Sequence, residues 1–231
     1  MKKVAFSIII PTKDEREHIS TTIGSICATM IDESFEILIV YDSNKDNTLP
    51  VIRKLKQKYH QLKITKNCFL GLAGAIKTGV KKSRGKYIIT LSADDSAPIQ
   101  SLPMAIKLSK KYDFLSGTRY RMGGKRINGS LIGKILSEMA NSLYSYLKKS
   151  SFSDLTTGFK IFKKDIFNDI DPKSEIGGGI FLEMAIKAEK LNLKVGEFPF
   201  ISVDRLHGGK SSMHLFKWIK EYCKIFITEG F

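Results

Sequence analysis

The sequence predicts an α/β protein with a mostly parallel central sheet flanked by helices, and three observations predict it. Apolar runs without period-two alternation recur through the first half, as strands covered on both faces require. Helical patterns separate these runs, the strand–helix repetition of a doubly wound domain. Polar clusters follow the strand candidates directly, at the carboxyl ends where such sheets bind ligands.

The strand candidates are Val4–Ile10, Phe35–Tyr41, Leu62–Thr65, Tyr87–Leu91 and Phe114–Gly117. Helical patterns lie between them near Glu15–Met30, Thr48–Tyr59, Gly71–Ser83 and Pro98–Lys110. The second half is less regular. Leu131–Leu147 repeats apolar residues near helical spacing, Phe181–Leu191 reads as another helix, and Val195–Phe200 as a strand. Residues 212–228 set Trp218, Tyr222 and Ile225 against Lys217, Lys220 and Lys224, a pattern that suits a lipid surface or a core-packing helix equally. The expectation is one domain over residues 1–231. Residues 1–120 would form its nucleotide-binding half, and 121–231 an acceptor-binding half ending in the amphipathic helix.

Composition bounds the function. The net charge of +15 favours anionic partners such as phosphorylated ligands or an acidic membrane surface. No DNA- or RNA-binding motif accompanies the charge, so nucleic acid is not the expected partner. Cys27, Cys68 and Cys223 are scattered, which argues against a disulfide framework and fits a reducing compartment. The four histidines lack metal-ligand spacing. Val4–Ile10 is short for a signal-peptide core, and no apolar stretch approaches the ~20 residues of a spanning helix. A cytoplasmic protein, peripheral at most to the membrane, is therefore expected.

The candidate site gathers four strand-end clusters: Thr12–Glu15, Asp42–Asp46, Ser92–Ser96 and Thr118–Arg121. Asp94 and Asp95 lie on a short loop before Pro98, and neighbouring carboxylates there can hold Mg²⁺ or Mn²⁺, which prefer oxygen ligands shared with phosphates. Asp42 is the candidate for contact with a base or ribose, whereas Asp46 reads as a structural turn acceptor. Gly71 and Gly74 permit close backbone approach, but the Gly-Lys-Ser/Thr ending of a P-loop is absent. Arg119 and Arg121 offer guanidinium groups suited to phosphate, and Arg205 and Lys210 flank His207-Gly208-Gly209 with further cations. A dinucleotide-dependent dehydrogenase is disfavoured, because Gly-x-Gly-x-x-Gly does not follow the first strand.

Taken in order, these motifs resemble family 2 glycosyltransferases, and within them the dolichyl- or polyprenyl-phosphate sugar transferases. The likeness runs from Ile10-Pro11-Thr12 through Asp42–Thr48, Asn67–Gly85, Ser92-Ala93-Asp94-Asp95 and Gly117-Thr118-Arg119-Tyr120. It continues through Asp154–Lys160 (DLTTGFK), Glu183, Arg205 and Gly209–Ser212. The resemblance implies a GT-A (Rossmann-like) nucleotide-sugar-binding fold. It implies that Pro11, Lys13, Glu15, Val40 and Asp42 border the nucleoside, and that Ala93 and Asp94 lie against the donor phosphates. Asp94 and Ser96 would ligate a divalent cation (Mg or Mn), and Arg119, Arg205 and Lys210 would contact phosphate. Ser92, Lys13 and Tyr41 depart from the family pattern, which places an aspartate, an aromatic and an aspartate there.

The implied reaction is transfer of a sugar from a GDP- or UDP-sugar with inversion, its catalytic groups drawn from Asp94, Asp95, Arg119 and Glu183. A lipid-phosphate acceptor needs no general base, because it is already ionised. A glycan hydroxyl needs one, with Asp154 and Glu183 as candidates. The alternatives are a transferase acting on a glycan or lipo-oligosaccharide hydroxyl and a nucleotide-sugar-binding protein without turnover.

Overall fold

Ile8 and Ile10 face one side of the central sheet and Ile9 the other, and all three are fully buried. That is why the first strand reads as an unbroken apolar run: helices cover both of its faces. The structure is a computed structural model and describes residues 3–128, 131–203 and 215–230.

Seven strands form the main sheet, in the order β3-β2-β1-β4-β7-β5-β8. They are β1 (Phe6–Thr12), β2 (Phe35–Tyr41), β3 (Leu62–Lys66), β4 (Tyr87–Thr90), β5 (Phe114–Thr118), β7 (Lys160–Lys163) and β8 (Val195–Pro199). All run parallel except β7, which is antiparallel to β4 and β5 on either side of it. A separate parallel pair, β6 (Lys125–Ile127) with β9 (Ile201–Val203), stands beside it.

One face carries α1 (Ile19–Thr29), α2 (Leu49–Lys58) and α4 (Leu102–Ser109), whose apolar residues share a core with Ile8, Ile37 and Leu115. The other face carries α3 (Gly71–Lys82), α6 (Ile166–Ile170), α7 (Gly179–Lys190) and α8 (Leu215–Ile225), packed around Ile9, Phe114 and Phe162. Gly79 shows how tightly α3 is seated, since a Cβ there would lie 2.5 Å from Ile9 Cγ2.

β7 inserts between β4 and β5, so the sheet interleaves strands from both sides of residue 120. The C-terminal helix is a packing helix: Trp218 lies against Gly177 and Gly178, Ile225 is buried in the α7-side core, and Lys217, Lys220 and Lys224 face outward. The helix that leaves an apolar stripe uncovered is α5 (Leu131–Lys148), where Ile135, Met139, Leu143, Tyr146 and Leu147 are all exposed, Met139 to 63% and Tyr146 to 84%. None of the described helices is long and apolar enough to cross a membrane.

Candidate active site

The carboxyl ends of β1 and β2 are in register, Pro11 opposite Val40 and Thr12 opposite Tyr41. Their following loops are stitched together. Asp14 N–H donates to Asp46 Oδ1 at 3.1 Å, Glu15 N–H to Thr48 Oγ1 at 2.9 Å and Asn47 N–H to Asp14 Oδ1 at 3.3 Å. Asp46 also accepts from Thr48 N–H and Oγ1, so it is the structural turn acceptor its setting predicts. Glu15 is buried beneath this seam, and Lys13 is exposed above it. Val40 is buried in the core, so only its backbone can border a ligand. Asp42 closes the gap to α3: Oδ1 accepts from Asn67 Nδ2 at 2.6 Å and Oδ2 from Gly71 N–H at 3.3 Å.

At the end of β4, Ala93 is buried and its carbonyl accepts from Thr22 Oγ1 of α1 at 2.8 Å, which fixes the loop from below. Ser92 Oγ donates to Asp94 Oδ1 in a short hydrogen bond. Ser96 precedes the 3-10 turn Ala97–Ser101, and its side chain makes no capping bond to it. Asp94, Ser92 and Ser96 thus offer hard oxygen donors on one loop, the chemistry Mg²⁺ and Mn²⁺ take. The set holds a single carboxylate, and no group of three or more His, Cys, Asp or Glu gathers among the described residues. A cation there would complete its shell with diphosphate oxygens and water.

Asp95 behaves differently from its neighbour. Its Oδ1 accepts from Ala97 N–H at 3.0 Å, and its Oδ2 accepts from Ser202 Oγ at 2.9 Å and Val203 N–H at 3.1 Å. Burial pushes this carboxyl up to about 6 against the pull of those three donors, and the adjacent Asp94 charge adds to the rise. Asp95 therefore clamps β9 to the β4 loop. Both of its oxygens are engaged by the protein.

At the end of β5, Arg119 makes a side-on bidentate pair with Asp154, Nε to Oδ2 at 2.7 Å and Nη2 to Oδ1 at 2.9 Å. Asp154 is fully buried and the Arg119 side chain 13% exposed. Asn141 of α5 supports the same carboxylate at 3.4 Å, and Thr156 donates to it at 3.2 Å. Glu197 accepts from the Ser153 and Asp154 N–H groups at 2.7 and 3.0 Å, holding the DLTTGFK loop from β8. With Nε and Nη2 bound to Asp154, Nη1 occupies the opposite edge of the guanidinium. Tyr120, Arg121 and Ser153 line a polar cavity of about 360 Å³ against Glu138, Asn141 and Ser142 of α5.

Glu183 does not join these loops. Its carboxylate accepts from Lys173 N–H at 2.7 Å, from Ser174 N–H at 2.7 Å and Oγ at 2.5 Å, and pairs with Lys187 at 2.6 Å. Burial alone would raise it, but the donors from Lys173, Lys187 and Ser174 together hold it below the usual carboxylate range. It braces the turn before α7. Arg205 and Lys210 lie outside the described residues.

The sequence reading missed the role of three glycines. Gly177, Gly178 and Gly179 form the platform on which Trp218, Tyr222 and Glu221 of α8 rest, and Gly177 adopts φ +52°. The unbroken Gly-Gly-Gly run before an apolar helix was the available signal.

A sequence profile described as glycosyl transferase family 2 matches residues 7–171. The chain belongs to that family. Among its relatives, a dolichol-phosphate mannosyltransferase of Pyrococcus furiosus is 28% identical over 97% of this chain. The chain spans only 64% of that relative's length. An undecaprenyl-phosphate mannosyltransferase of Micrococcus luteus is 28% identical over 85% of this chain and 83% of its own. The glucosyl-3-phosphoglycerate synthase of Mycobacterium tuberculosis, solved with Mn²⁺, UDP and phosphoglyceric acid, superposes with a TM-score of 0.74 at 14% identity, over 98% of this chain and 78% of that one. S. aureus TarS, solved with UDP-GlcNAc, gives 0.63 at 16% identity over 98% and 67%. This family 2 chain has the GT-A fold, a mostly parallel seven-stranded sheet between helices.

Proposed function

We propose that this family 2 chain is an inverting glycosyltransferase that moves a sugar from a nucleotide-sugar donor, a GDP- or UDP-sugar, to polyprenyl phosphate at the cytoplasmic face of a membrane. The observation that carries the choice of acceptor is the state of the two candidate bases. Asp154 is locked to Arg119 and Glu183 to Lys173, Ser174 and Lys187. An acceptor that arrives already ionised needs neither, and a phosphate does so where a hydroxyl does not. The names of the two mannosyltransferase relatives support the same acceptor class.

In this reading the donor's nucleoside lies over Pro11, Lys13, Glu15, the Val40 backbone and Asp42. Its diphosphate lies against Ala93 and Asp94. A divalent cation held by Asp94 and Ser96 would neutralise charge on the departing diphosphate. Arg119 turns its Nη1 edge toward a phosphate oxygen, and the Asp154 pair fixes the angle of approach. Arg205 and Lys210 add cations from the segment after β9. The acceptor oxygen attacks the anomeric carbon opposite the leaving group, without a covalent enzyme intermediate. The exposed α5 stripe, flanked by Lys134, Lys148 and Lys149, supports contact with a lipid surface.

The test pairs donors with acceptors. The full chain is incubated with GDP-mannose, UDP-glucose or UDP-GlcNAc and either undecaprenyl phosphate in vesicles or soluble oligosaccharides, with and without Mn²⁺. Transfer to the lipid phosphate, enhanced by Mn²⁺ and lost with its metal enhancement in Asp94→Ala, is expected. Transfer to oligosaccharide hydroxyls alone overturns the acceptor. Donor binding without any turnover overturns the activity.

A further inference from the structure

Lysine is seldom found inside a sheet, yet Lys160 is fully buried. It opens β7, where its N–H donates to Thr90 Oγ1 of β4 at 3.1 Å. Its side chain runs beneath the DLTTGFK loop, with Nζ 6.0 Å from the centre of the Phe114 ring. Nζ donates to Ser116 Oγ at 2.7 Å and to the Leu155 carbonyl at 2.9 Å. Ser116 Oγ in turn donates to the Asp154 carbonyl at 2.8 Å. No carboxylate is among these partners.

Such a placement is costly. A buried ammonium without an ion pair is penalised by desolvation, and burial pushes Lys160 down to about 7, against the pull of Asp154 and Glu197. A methionine would fill the space without that cost, so the position calls for an explanation other than packing. Both hydrogen bonds end on the same object: one directly on the Leu155 carbonyl, the other through Ser116 on that of Asp154. On the upper side of this loop the Asp154 carboxylate grips Arg119.

We propose that Lys160 is a positioning residue that sets the height of the 153–158 loop, and through Asp154 the angle at which Arg119 meets the substrate phosphates. Arg119's contact with phosphate rests on the reading given under Proposed function. The link from Lys160 to the Arg119–Asp154 pair does not.

Two readouts keep these apart. The first is hydrogen exchange of the Arg119 Nε–H, followed by NMR on arginine-labelled full chain and assigned by its loss in Arg119→Lys. In the wild type this proton is protected by Asp154. In Lys160→Met, with thermal stability at neutral pH unchanged or raised, it exchanges roughly tenfold or more faster as the pair loosens. The second is steady-state transfer: kcat falls roughly 10- to 100-fold with donor KM within about twofold, the pattern of a displaced group and not of a lost binding surface. If Lys160→Met does not fold, Ser116→Ala removes the relay to Asp154 and one of the two acceptors of Lys160 Nζ while leaving its bond to the Leu155 carbonyl, and is expected to show the same two changes at smaller amplitude. Unchanged exchange of the Arg119 proton in a folded variant overturns the proposal, as does unchanged kcat where the wild type is active. A wild type with no transfer to any acceptor overturns the functional reading, and the exchange measurement still decides for or against Lys160.

Discussion

Asp95 and Ser202 are 107 residues apart in sequence and joined by a hydrogen bond of 2.9 Å between Oδ2 and Oγ. The bond ties the loop that presents Asp94 to the strand leading into the segment with Arg205 and Lys210. Removing the carboxylate strands the Val203 and Ala97 N–H groups as well. Asp95→Ala is expected to lower unfolding free energy by about 1–3 kcal/mol, and Ser202→Ala by about 1 kcal/mol, in urea titrations. Equal, negligible losses in both variants would show that the clamp contributes nothing.

Trp218 is the only tryptophan in the chain, so its fluorescence reports directly on the docking of α8. A Cβ at Gly177 would lie 2.4 Å from its indole, at a backbone angle that side chains rarely adopt. Gly177→Ala should cost about 1–3 kcal/mol and red-shift the emission as the ring is pushed toward water. The substitution should cost less in a Trp218→Ala background, and full additivity of the two changes would argue against the contact.

The exposed stripe on α5 gives a separate test of membrane contact. Co-sedimentation with vesicles of mixed phosphatidylcholine and phosphatidylglycerol is expected for the wild type and lost in Met139→Glu/Leu143→Glu, at a cost of no more than about 0.5 kcal/mol to stability since both positions face outward. Sedimentation that persists in the double variant would move the lipid contact elsewhere.

Lys160 should leave a mark on the pH dependence of stability. Its folded pKa, about 7, lies below the unfolded lysine value. Below about pH 7 both states hold the proton and the burial penalty is felt in full. Between there and the ordinary lysine range the unfolded state binds more protons, so unfolding free energy rises with pH. The rise should be on the order of a few kcal/mol over that window, and Lys160→Met should flatten it. Parallel curves for the two proteins would contradict the assignment.

Most of the sheet was legible because its strands are apolar on both faces, and Asp94 stood out because it follows one of them. What escaped the sequence depends on contacts made over distance. Only Ile161 and Phe162 are apolar in β7, too short a run to stand out as a strand, and its two ends are the lysines Lys160 and Lys163. One of these is in fact fully buried, so a helix-or-strand pattern built on polarity passes over it. The roles of Asp95 and Glu183 were equally hidden. Carboxylates look alike in sequence, and only the fold decides that one meets Ser202 and Val203, another Lys173 and Ser174, while Asp94 remains on the loop with Ser92 and Ser96. The Arg119–Asp154 pair joins residues 35 positions apart, and no local spacing announces it.

The insertion of β7 also bears on how the chain can be made. Once synthesis has passed well beyond β5, strands β3, β2, β1 and β4 are out of the ribosome and can already pair, but the outer edge of β4 has no neighbour yet. Its partner strand is translated 70 residues after Thr90, once α5 has been completed. Until then the nascent protein carries an open, apolar strand edge beside an uncovered helix stripe, the combination that invites pairing with other chains. Yield in cells should therefore depend on how long translation lingers between residues 90 and 163.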